Sequence, residues 1–145
     1  MNAPALTTSA AACRLSNESG RAILTVRGRH VVTDSPPPLG GPNESPNPAE
    51  LILGALGACG TFVFERFAQE QGIALRGVSV TVAGDFDPRG VCGEAVDPRF
   101  QAIRVRIALD GPDETQKPAF LDAFRTRCPL FTTLSRAVPG ELSLA

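Results

Sequence analysis

Sulfur is the most reactive element this sequence offers. The chain carries four cysteines, Cys13, Cys59, Cys92 and Cys128, and one imidazole, His30. Successive cysteines stand 46, 33 and 36 residues apart, so the closely spaced pairs that hold structural zinc do not occur. With one histidine, a zinc or iron site built on two or three imidazoles cannot form within one chain, and a Ser-His-Asp triad would have to use His30. Thiol chemistry remains, in which the thiolate is the nucleophile.

The local sequence treats these thiols differently. Cys128 precedes Pro129, which puts the cysteine at a helix N-cap and the proline at the first helical position. The positive end of the helix dipole there favours a thiolate, so local electrostatics make Cys128 the more acidic thiol. Cys59 lies about three turns into an apolar helix, where loss of water opposes the thiolate and a cation must compensate. Cys92, between Val91 and Gly93, reads as an inert surface thiol, and Cys13 reads as strand packing. His30 and Asp34 read as ordinary strand-edge residues or, alternatively, as a polar pair at the mouth of a site.

The elements that position these residues follow from patterning. Residues 1–10 are small and polar and are expected to be disordered, with a single domain over 11–145. Short β-type runs at Cys13 and Leu15, Ile23 to Val26 and Val31 to Val32 predict two or three antiparallel strands. Ser35 to Asn47 holds five prolines and reads as a loop. Asn47 as cap, Pro48 at the first helical position and Glu50 three residues past the cap predict a capping box and a helix beginning at Pro48. Gly72 ends that helix. Its first four turns are apolar on every side, which implies burial on every side and a second copy of the chain, a homodimer, to supply part of it.

Val78, Val80 and Val82, and Ile103, Val105, Ile107 and Leu109, alternate with other residues as half-buried strands, joined by a Gly/Pro-rich connection over Asp85 to Arg99. Pro112 to Arg127 reads as an amphipathic helix whose start Pro118 marks, with Phe120, Leu121 and Phe124 inward. Cys128-Pro129 opens another short helix, and Leu142 and Leu144 mark one face of a last strand. The order of elements is that of an α+β domain.

Composition excludes several functions. With 145 residues and a formal charge of −1, the chain has no basic surplus to draw a nucleic acid. The longest uncharged stretch, Leu51 to Phe64, has 14 residues against about 20 for a bilayer crossing, so it reads as a core helix and no membrane partner is expected. Met1 to Ala12 lacks the basic start and apolar run of a secretory signal, which predicts a cytoplasmic protein with reduced cysteines.

The run Asn43 to Gly60, N-E-S-P-N-P-A-E-L-I-L-G-A-L-G-A-C-G, followed by Cys128-Pro129, resembles the OsmC/Ohr family of hydroperoxide-reducing proteins. The upstream G-R-H-V-V-T-D-S-P-P-P-L-G-G from Gly28 to Gly41 is similar to the lead-in of its OsmC-like branch, and the likeness spans about residues 11–145. It implies an α+β, OsmC-like fold of antiparallel sheets around a buried central helix, in an intertwined homodimer with each site at the subunit boundary. It also implies that Cys59 is oxidised by an organic hydroperoxide, that Cys128 closes a disulfide with it, and that a dithiol such as a lipoyl group on a protein resets the pair. That chemistry is self-consistent: a thiolate attacks peroxide well, its sulfenic acid needs a nearby second thiol, and no metal or organic cofactor is required.

The family's activating arginine and glutamate are matched less well. Its glutamate stands ten residues before the cysteine, where this chain has Ala49. Glu50 is the neighbouring candidate, one residue or about 100° of helix away, and the capping box accounts for it equally. Arg21, Arg27 and Arg29 are the candidate cations. In the family, side chains such as Phe62, Phe64, Phe67, Phe120, Phe124 and Phe131 line a pocket for the peroxide's organic tail; core packing is the other reading. Two functions follow: a thiol-dependent peroxidase of stress defence, or a binding and stress protein of the same fold with little turnover.

Overall fold

The computed structural model describes residues 5–137 and 140–144, so part of the expected disordered segment, residues 1–4, lies outside the described residues. Residues 5–11 form no regular element and are exposed. The chain divides into two compact units, Met1–Leu51 and Ile52–Ala145.

The N-terminal unit is a three-stranded antiparallel sheet, β1 (Ala12–Leu15), β2 (Arg21–Val26) and β3 (Arg29–Asp34), in that order. A two-residue turn at Arg27 and Gly28 joins β2 to β3, both residues at positive φ (50° and 74°). This is the twist that matches paired strands, and it fixes the register so that Arg21 pairs with Asp34 and Val26 with Arg29. Cys13 is exposed on β1, not packed as its strand position suggested, because a four-residue edge strand has all its residues in solvent. The loop after β3 holds a single 3-10 turn, Pro37–Leu39.

The loop ends in the first turn of α1 (Pro48–Gln71). The Asn47 backbone N–H donates to Glu50 Oε2 at 2.8 Å and the Glu50 N–H donates to Asn47 Oδ1 at 2.9 Å, the reciprocal bonds of a capping box. Gly72, at φ 64°, follows the last turn.

In the C-terminal unit, α1 from Ile52 onward packs on a sheet of β4 (Gly77–Asp85), β5 (Ala102–Asp110) and β6 (Gly140–Leu144) and on two helices, α2 (Lys117–Arg127) and α3 (Pro129–Leu134). β4 and β5 are antiparallel, whereas β6 runs parallel to β5, so this sheet is mixed and not antiparallel throughout. α2 begins at Lys117 because Asp113 Oδ1 takes the Thr115 and Gln116 N–H groups in a turn of its own, which leaves Pro118 in the first helical turn.

Burial within a single chain covers one side of α1. Leu56, Gly57, Gly60, Phe64, Phe67 and Ala68 form its buried stripe, while Ile52, Ala55, Ala58 and Phe62 are exposed in the single chain, Phe62 at 70 %. The helix sits close because two positions lack side chains: a Cβ at Gly57 would meet Val82 Cγ2 at 3.5 Å, and one at Gly60 would meet Phe124 Cε2 at 3.0 Å. Its 24 residues are, by length and composition, enough to cross a membrane, which the 14-residue uncharged stretch understates; core helices share that property, and the docked glycine stripe is core packing. Around it, Ile103, Val105 and Ile107 of β5 alternate inward against outward Arg104 and Arg106. Phe64, Phe120 and Phe124 are fully buried, each worth about 1.5–3 kcal/mol of transfer energy.

Candidate functional site

Cys59 and Cys128, 69 residues apart in sequence, meet: the Cys128 thiol donates to Cys59 Sγ at 3.0 Å. Both are free thiols, and a disulfide of about 2.05 Å needs an approach of about 1 Å more. Each position has a local cause. Cys59 is carried on α1 one residue before Gly60, where the helix can reach the Phe124 ring. Cys128 is at once the residue that ends α2 and the N-cap of α3, extended at φ −77° and ψ 111°, with Pro129 at the first helical position as the sequence predicts. Its N–H donates to the Phe124 carbonyl at 3.1 Å and its sulfur accepts from the Phe131 N–H at 3.4 Å.

The two sulfurs differ in exposure. Cys59 is half-buried; Cys128 is at 0 % exposure. Burial, and then the hydrogen bond to Cys59, push the Cys128 thiol up from an ordinary 9.0 to about 11. This reverses the expectation from its helix terminus: α3 has six residues, and the Phe131 N–H acts in the favourable direction but is outweighed by desolvation. Phe64, Phe67, Phe120, Phe124 and Phe131 belong to the core beside the pair, with ring centroids 4.9 Å apart for Phe124 and Phe131. Phe62 stands apart in solvent. Cys92 is exposed in the connection between β4 and β5.

The N-terminal unit holds a second polar arrangement that the sequence did not single out as a cluster. Asp34, 1 % exposed, accepts from Arg21 Nε at 2.7 Å and Nη2 at 3.0 Å, and from the Glu44 and Ser45 N–H groups at 3.0 Å each. Arg21 Nη2 also donates to Glu44 Oε2 at 2.7 Å. The guanidinium beside Asp34 holds its carboxyl below the usual carboxylate range, and the two carboxylates hold Arg21 charged. The signal was present in the sequence: a two-residue turn at Arg27 and Gly28 places residue 21 opposite residue 34. Of the three candidate arginines, Arg21 is built into this cluster, while Arg27 and Arg29 lie exposed at the turn. His30 bonds Thr25 Oγ1 through Nδ1 at 2.9 Å and is not Asp34's partner. Glu50 spends its carboxylate on the Asn47 N–H.

Solved structures share this architecture at low identity. The chain superposes on an OsmC-like protein from Mycoplasma pneumoniae with a TM-score of 0.80 at 17% identity, covering 96% of each chain. It matches an organic hydroperoxide resistance protein OsmC from Legionella pneumophila at 0.73 and 23%, covering 98% of this chain and 99% of that one. An organic hydroperoxide resistance protein from Elizabethkingia anophelis, with thiocyanate bound, matches at 0.76 and 14%, covering 97% of each. No curated protein sequence matches. The family model for OsmC-like proteins matches residues 41–143, a span that begins in the proline-rich loop, takes in both paired sulfurs and ends in β6, and by that match the chain belongs to the OsmC-like family.

Proposed function

We propose that the protein is a thiol-dependent peroxidase that reduces organic hydroperoxides through Cys59 and Cys128. The observation that carries this reading is the 3.0 Å contact of two free thiols, one of them half-buried. The Cys59 thiolate attacks the outer peroxide oxygen, the O–O bond breaks, and the alkoxide leaves as an alcohol with one proton, giving a sulfenic acid. The Cys128 sulfur, deprotonated, then attacks Cys59 Sγ; the S–S bond forms and the sulfenic oxygen leaves as water. An external dithiol, for which a lipoyl group on a protein is the expected source, returns two electrons. Names of relatives that include hydroperoxide resistance support the substrate class. The exposed apolar side of α1, with Ile52 and Phe62, supports a homodimer. The reaction is assigned to the cytoplasm, where the thiols start reduced.

A second reading, a binding and stress protein with little turnover, is favoured by one set of observations: Ala49 stands at the family's glutamate position, the Glu50 carboxylate is taken by the Asn47 N–H, and burial pushes the Cys128 thiol up. Adding cumene hydroperoxide to the reduced protein and counting free thiols separates the two. Loss of two of the four thiols within seconds, absent from Cys59→Ser, is the expected result; thiols unchanged at low millimolar peroxide establish the second reading.

A further inference from the structure

We infer that the reductant attacks Cys59, not Cys128, so that the same sulfur takes in the oxidant and the reductant while Cys128 is always the buried partner. The inference rests on the reading of Cys59 and Cys128 as a redox pair and concerns the half of the cycle in which the disulfide is opened. Thiol–disulfide exchange requires a thiolate to approach one sulfur from the side opposite the other, so contact comes before any electronic preference. Cys128 offers no such side. It is at 0 % exposure in the corner between α2 and α3, with the Phe131 N–H on its sulfur at 3.4 Å. Cys59 is half-buried on α1.

Leaving-group ability points the other way. The sulfur of lower pKa leaves faster, and the Cys128 thiol at about 11 is a poor leaving group. Access decides, because a sulfur that cannot be touched is not attacked, and the leaving-group handicap makes the step slow without redirecting it. The electrons balance: the first reductant thiolate bonds Cys59 Sγ as the Cys59–Cys128 bond breaks, Cys128 leaves with the electron pair and takes a proton. The second reductant thiol then attacks its own partner sulfur, releasing Cys59 as thiolate and a cyclic disulfide.

The test uses the full chain with Cys13→Ser and Cys92→Ser, which removes the two exposed thiols. Diamide closes the disulfide without peroxide, so a protein with no peroxidase turnover still answers the question. Limiting 2-mercaptoethanol opens it, and quenching in acidic guanidinium with N-ethylmaleimide, followed by peptide mapping, shows which cysteine carries the mercaptoethanol adduct. The expected result is an adduct on Cys59 and maleimide on Cys128, with at least a tenfold preference. An adduct on Cys128, comparable amounts on both, reduction without any adduct on Cys59, or failure of diamide to close the bond overturns the inference. In parallel, native Cys59 in Cys128→Ser should react with an aromatic disulfide reagent at least tenfold faster than native Cys128 in Cys59→Ser; equal rates overturn it as well.

Discussion

The two polar arrangements of this chain are built on opposite principles. The sulfur pair of the C-terminal unit joins a half-buried thiol to a fully buried one; within Ile52–Ala145, among the described residues, the hydrogen-bond partner of Cys59 Sγ is another thiol. The Arg21–Asp34–Glu44 cluster of the N-terminal unit is fully charged, with four hydrogen bonds converging on one buried carboxylate. Burial without charge pushes a thiol toward its protonated form, whereas burial with a bidentate guanidinium and two backbone donors keeps a carboxylate ionised. The same loss of water therefore has opposite consequences, decided by what replaces the water.

That contrast can be broken or sharpened by measurement. The largest effect is expected at Phe124→Ala, which empties the ring position packed against Gly60, Phe64 and Phe131; urea unfolding should show a loss of about 3–5 kcal/mol. Asp34→Asn should come next, lowering Tm at neutral pH. Because the Asp34 carboxyl is held low in the folded chain, its contribution is complete above its unfolded value of about 3.9 and disappears as pH falls below it. The gap in Tm between wild type and Asp34→Asn should therefore narrow from pH 4 downward, and a gap that widens there contradicts the charged cluster.

Closure of the Cys59–Cys128 bond after peroxide addition should accelerate with pH, about tenfold per unit below about 11, since the attacking Cys128 must first lose its proton; stopped-flow thiol counting reads this, and a flat profile shows that another step limits closure. The smallest effect is expected at Asn47→Ala, about 1 kcal/mol from the loss of one cap bond, read by chemical denaturation.

Local rules in the sequence carried much of this. Asn47, Pro48 and Glu50 announce the start of α1, Gly72 its end and Cys128-Pro129 the α2–α3 corner, because capping is decided within four residues. The strand alternation of Ile103, Val105 and Ile107 is legible for the same reason. The depth of Cys128 was not: a cap position suggests an acidic thiol, and only the packing of helices distant in sequence reveals that desolvation outweighs it. Likewise the uncharged run Leu51 to Phe64 of α1 cannot say which of its sides its own chain covers, since Phe62 and Phe64 read alike until β4 and α2 are in place. Asp34 needed a strand register, one step beyond the local patterns that marked its strand.

Gly60 acts as the calliper of the sulfur pair. It adjoins Cys59 in sequence and faces Phe124, whose carbonyl in turn holds the Cys128 N–H at 3.1 Å. A methyl group there would stand 3.0 Å from the ring, which would have to give by a few tenths of an ångström. Bulk added at one silent position would thus fall on the ring packed beside two reactive atoms, and residue 60 owes its lack of a side chain to that closeness.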